Sequence, residues 1–138
     1  MTGLLQGALF LLIMLPTYTD AHSGHGASAW LKSARWDGDK LALVVEILNE
    51  GGATLTLRHI AGDGARTVTF TRQRSVLGIV TEQPVEFLRL DPNELARLGD
   101  GRYRLALAGL DADAAQVKLT LDFGPDGTVP VAVPVPVR

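Results

Sequence analysis

The chain is 138 residues long, carries a formal net charge of −2 and contains no cysteine. Its only sulfur is in Met1 and Met14, both in the first apolar stretch. This excludes disulfides, thiolate zinc sites, iron–sulfur clusters and a cysteine nucleophile. Once the first stretch is removed, it also excludes any thioether metal site. The length predicts one domain. Acids and bases are interspersed with no basic run, which argues against a nucleic-acid partner.

Gly3 to Leu15 is an apolar run about 12 residues long at its core, short for a bilayer span and suited to a signal peptide. Thr19 and Ala21 are small residues at positions −3 and −1 of a cut after Ala21. The expected organisation is therefore a signal peptide over 1–21, a flexible His-containing leader over 22–28 and a β-domain over 29–138. The protein is expected in the periplasm, with membrane attachment only through an uncleaved leader. No cysteine follows the apolar core, which excludes a bacterial lipoprotein.

Beyond the leader, short alternating runs are punctuated by Gly, Asp and Asn turns, the pattern of an all-β sandwich or barrel. Ala29–Trp36 is the first strand, closed by Asp37-Gly38. Lys40–Asn49 is the longest strand and mostly buried, and Asn49-Glu50-Gly51-Gly52 turns it. Thr54–Ile60 alternates Leu55, Leu57 and His59 against polar neighbours. Arg66–Arg72 alternates Val68 and Phe70 with threonines, and strands over Ser75–Val80 and Val85–Leu90 follow. Asp91-Pro92-Asn93-Glu94 reads as a helix start, with Asp as cap, Pro at the first helical position and Glu three residues after the cap. It predicts one short helical segment, Pro92–Leu98. Arg102–Ala108, Gln116–Phe123 and Val129–Val137 complete the strands. Pro130, Pro134 and Pro136 are all at even positions, so their missing N–H donors fall on one side of the last strand. It is therefore an edge strand.

No nucleophile elbow, phosphate-binding Gly loop or zinc-protease motif is present, and nothing supports an enzyme. The histidines are His22, His25 and His59. If the cut follows Ala21, the amine and ring of His22 chelate one metal ion, and His25 adds a third nitrogen across the Ser-Gly spacer. Three nitrogens suit Cu(II) best. The bland alternative is a solvated leader. His59 shares a strand face with Leu55 and Leu57, so it reads either as an inward or half-buried histidine or as a ligand partner for His22.

Several features resemble the periplasmic copper chaperone family written PCu(A)C. They are the exported leader, Ala29-Trp30 at the first strand, the long strand ending Leu48-Asn49-Glu50-Gly51-Gly52, and the Gly101–Leu110 segment. The Val117–Phe123 segment and the Val/Pro tail resemble it too. The resemblance implies a cupredoxin-like Greek-key sandwich or barrel. It implies periplasmic Cu(I) binding, copper as cargo, and partners among cytochrome oxidase copper-centre assembly proteins or other copper chaperones. The family motif is His or Met, ten residues, Met, twenty-one residues, His, one residue, Met. Laid on this chain, its positions fall on Thr71, Glu82, Arg104 and Ala106. Every ligand is replaced, so the family site is expected to be degenerate, with Glu82 and Arg104 pairing across it and holding two loops together.

Two functions remain open on the sequence. One is a copper-chaperone-like protein of metal homeostasis that binds Cu(II) through His22, His25 and His59. The other is a metal-free β-sandwich interaction module.

Overall fold

The computed structural model describes residues 26–138 and the backbone of Ala21–His22. Residues 1–20 of the expected signal peptide and His25 lie outside the described residues. A two-residue strand, β1 (Ala21–His22), pairs with β2 (Ala27–Asp37) at Ala29 and Ser28. β2 turns at Gly38 into β3 (Lys40–Asn49), with a bulge between Leu31 and Ser33. Next come β4 (Leu55–Leu57), β5 (His59–Asp63), β6 (Thr67–Val76), β7 (Ile79–Pro84), β8 (Leu88–Leu90) and β9 (Leu95–Leu98). β10 (Tyr103–Ala108), β11 (Gln116–Asp122), a single 3-10 turn at Gly124–Asp126 and β12 (Thr128–Pro134) follow.

One layer runs β1-β2-β3-β10-β6-β7, with β9 added to the far end of β3. The second layer runs β12-β11-β5, and β4 pairs with β8 in a small separate ribbon. All pairings are antiparallel, and hydrogen bonding does not close the layers into a barrel. Alternation places Leu41, Leu43, Val45 and Ile47 of β3 and Leu105 and Leu107 of β10 inside. Val117, Leu119 and Leu121 of β11 and Val129, Val131 and Val133 of β12 complete this core with Phe123. β12 ends its layer, with Pro130 and Pro134 at even positions on its exposed face. The edge-strand reading of the prolines agrees with that position.

Asn49 is buried and joins three turns. Its Nδ2 donates to the carbonyls of Ala53 (2.8 Å) and Leu90 (3.1 Å), and its Oδ1 accepts from Gly51 N–H at 3.0 Å. Its own N–H donates to Glu94 O, and its carbonyl accepts from Asn93 N–H at 2.7 Å. A buried amide satisfied this fully fixes the end of β3 relative to the loops around it.

Three expected elements differ. The helix predicted over Pro92–Leu98 is absent. Its capping bond does form, Asp91 N–H to Glu94 Oε1 at 2.8 Å, but it closes a turn. Asn93 adopts φ +65°, which cannot continue a right-handed helix. Leu95–Leu98 then pairs with Val45–Leu48, the stretch of β3 that β10 leaves open. Gly99 permits this approach, because at φ +101° a Cβ would overlap the carbonyl oxygen of Leu43. The strand expected over Ser75–Val80 is a hairpin tip, with Leu77-Gly78 as its two-residue turn between Val76 and Ile79.

The third difference concerns His59. Leu55 and Leu57 point inward, but Arg58 interrupts the strand and Ile60, not His59, is the next buried side chain. The chain changes partner there, from β8 to β11. The change of partner shifts the inside–outside parity by one residue and leaves His59 exposed. The inward or half-buried histidine is corrected accordingly.

Candidate functional site

Thr71, Glu82, Arg104 and Ala106 sit on three adjacent strands, in the order β10-β6-β7. Arg104 lies directly opposite Thr71, and Ala106 opposite Thr69. Thr71 is flanked on its other side by Pro84, two residues along β7 from Glu82. The sheet thus brings four positions that are up to 35 numbers apart onto one surface. Each is reached by even steps along its strand, so all four share a face.

Arg104 Nε meets Glu82 Oε1 at 3.2 Å, with side-chain exposures of 53% and 40%. This ion pair spans β6, so it joins strands β10 and β7 rather than two loops. Half-exposed, it contributes about 0–1 kcal/mol. Thr71 Oγ1 beside it is buried without a hydrogen-bond partner. Ala106 is buried, with a side chain that carries no donor atom. These four residues do not fit Cu(I). The soft ion needs thioether or imidazole, and here it would meet a hydroxyl, a methyl and a fixed guanidinium already neutralised by carboxylate.

His59 borders a cleft of about 350 Å³ between β5 and the β6–β7 hairpin, together with Arg58, Phe70, Thr71, Pro84 and Glu86. The strand carrying His22 lies elsewhere. β1 borders β12, whereas β5 borders β6. β12 and β5 are the two edges of one layer with β11 between them, two strand spacings or about 10 Å apart. The fold therefore does not place His59 on the flank where β1 enters. Among the described residues, no group of three or more His, Cys, Asp or Glu side chains could hold a metal ion.

The most strongly organised polar group was not anticipated from the sequence. Glu46 is only 5% exposed although it lies on the outer face of β3. Trp30 and Arg97 occupy the cross-strand positions on either side. Trp30 Nε1–H donates to Glu46 Oε1 at 2.9 Å, and Arg97 donates from Nε and Nη2 to Oε2 at 3.1 and 2.9 Å. Lys32 Nζ lies 3.8 Å from Oε1, and Arg97 also reaches Asp100 at 3.3 Å. The hydrogen bonds from Arg97 hold the Glu46 carboxyl below its ordinary range. Burial opposes this, and Trp30 and the charges of Arg97 and Lys32 add to it. One signal was available: Glu46 is the lone acid within the apolar run Leu41–Leu48, and a buried acid requires a cation. Which cation could not be read, because Arg97 is 51 residues away.

The architecture is that of a cupredoxin-like sandwich, and Thr71, Glu82, Arg104 and Ala106 on its outer face offer neither imidazole nor thioether. The copper-bound PCuAC domain from PmoF2 superposes with a TM-score of 0.60 at 15% identity, covering 88% of this chain and 100% of its own. The apo PCuAC domain from PmoF1 superposes with a TM-score of 0.59 at 17% identity, covering 86% and 99%. No curated protein matches the chain. Residues 27–135 match the family described as "Putative lipoprotein LpqE-like", and the chain belongs to that family. This sequence has no cysteine to carry the lipid that the family description implies.

Proposed function

We propose that the protein is an exported, non-enzymatic, copper-chaperone-like sandwich that has exchanged its family's Cu(I) site for an ion pair. Its metal ligands are then His22 and His25, at the N-terminus exposed by a cut after Ala21. The observation that supports this reading is the Glu82–Arg104 pair at two of the family's ligand positions. It makes that surface unfit for copper while the scaffold persists. An N-terminal amine with two imidazoles favours Cu(II). The cargo would serve periplasmic copper homeostasis, with oxidase copper-centre assembly proteins or another copper chaperone as partners. His59, on a different flank of the sandwich from β1, is left out of this ligand set.

The same pair also favours a second reading, a metal-free interaction module. One experiment separates the two. The mature N-terminus is established by mass spectrometry on protein made through its own export route. Cu(II) is then titrated under electron paramagnetic resonance. A nitrogen-rich signal that is lost in His22→Ala supports copper handling, whereas binding no tighter than that of free histidine leaves the metal-free module. An extra N-terminal residue should alter the signal, because it converts the His22 amine to an amide and breaks the amine–imidazole chelate.

A further inference from the structure

The β6–β7 hairpin runs out past the core and ends in Val76-Leu77-Gly78-Ile79-Val80. Four aliphatic side chains are exposed there: Val76 51%, Leu77 97%, Ile79 67% and Val80 63%. They do not form a one-sided patch. Val76 and Ile79 are cross-strand partners on one face, Val80 stands opposite Ser75 on the other, and Leu77 is the apex. Leu77 holds φ +54° and Gly78 φ +80°. A turn with two positive φ values favours Asn, Asp or Gly at its first position, and leucine is among the side chains least suited to it. An aliphatic apex is therefore kept against local backbone preference.

Behind the tip the charge is basic. Arg72 and Arg74 lie on the Val76 face of β6, and Arg102 and Arg104 lie at the adjoining end of β10. Against these four, the hairpin carries one acid, Glu82, which is already paired. Arg72 rests 5.7 Å over the ring of Tyr103, and neither Arg74 nor Arg102 has an acidic partner among the described residues. Arg74 is three residues from the apex, about 10 Å along an extended strand.

We infer that this hairpin tip is a wedge for an anionic lipid surface. Aliphatic groups on both faces and at the apex require surroundings that enclose the tip. A bilayer supplies these, whereas a flat protein partner would cover one face and leave Val80 or Ile79 in water. Insertion to about 5–10 Å places Arg74 at the lipid phosphates. Each arginine held near an anionic leaflet strengthens binding about fivefold.

The chain contains no cysteine, so Val80→Cys carries a unique environment-sensitive fluorophore. The test uses the exported chain with vesicles of equal phosphatidylglycerol and phosphatidylcholine, some bearing spin-labelled acyl chains. The label should shift to the blue and be quenched by the acyl spin labels. The response should fall at least 25-fold in pure phosphatidylcholine, where no anionic headgroup remains, and about 25-fold in the Arg72→Gln/Arg74→Gln double variant. Leu77→Asn should weaken insertion at least tenfold while its melting temperature stays level or rises, because Asn suits the turn. That opposition separates a lipid contact from a structural role. A label that stays water-exposed on vesicles carrying bound protein overturns the inference, as does a response unchanged by Leu77→Asn. A dimer that Leu77→Asn dissolves, with no lipid response, also overturns it and assigns the tip to a second copy.

Discussion

Glu46→Gln tests whether the outer face of β3 is held by charge or by packing. The substitution keeps the side-chain shape and one carbonyl oxygen, which can still accept from Trp30 Nε1–H. The other terminus becomes an amide donor and faces the two Arg97 donors that now lie at 2.9 and 3.1 Å. Hydrogen bonds to charged groups contribute about 1.5–3 kcal/mol. Arg97 is half exposed and keeps Asp100, so it is not stranded without solvent when the carboxylate goes. That places the expected loss at about 1–2 kcal/mol, or a melting temperature roughly 4–8 °C lower for a domain near 110 residues. The pH dependence has a defined sign. The folded-state pKa of Glu46 lies below its ordinary value of 4.5. Its stabilisation is then complete above that value and fades as pH falls through the lowered folded one. Urea unfolding of both proteins should show the widest gap near pH 7 and a closing gap below about pH 4.5. A gap under about 0.3 kcal/mol at neutral pH, or one that persists undiminished to pH 3, refutes the charge-based account.

Cu(I) ligands can be built onto the surface of Thr71, Glu82, Arg104 and Ala106. The combined variant Thr71→His, Glu82→Met, Arg104→His and Ala106→Met should bind Cu(I), read by competition with a chromogenic Cu(I) chelator, while the parent chain gives no such competition from these positions. It should also lose about 1–3 kcal/mol of stability, because Ala106 is buried and a methionine there overfills the sheet surface. Gly99→Ala should cost several kcal/mol, on the order of 2–5, in thermal unfolding, since the new Cβ overlaps Leu43 O and the residue sits at φ +101°. Unchanged melting would mean that β9 does not need its close approach to β3.

Periodicity and punctuation in the sequence were enough to read an all-β chain, most of its strands and an edge position for the last one. These signals are local: alternation along a strand sets which side chains share a face, and proline removes a donor wherever it falls. The lack of thioether and imidazole at Thr71, Glu82, Arg104 and Ala106 was equally legible, because ligand chemistry is a property of residue identity. Strand pairing was not local. Leu95–Leu98 became a strand because β3 had an open edge there, overriding a well-formed capping signal at Asp91. His59 turned outward because the chain changes partner at Arg58, and a one-residue change in parity reverses every face that follows. Glu46 found Trp30 and Arg97, 16 and 51 residues away, only because β2 and β9 flank β3. The Glu82–Arg104 contact was anticipated from motif spacing, but its form, a tie across β6 between two strands, was decided by the order in which the sheet assembles.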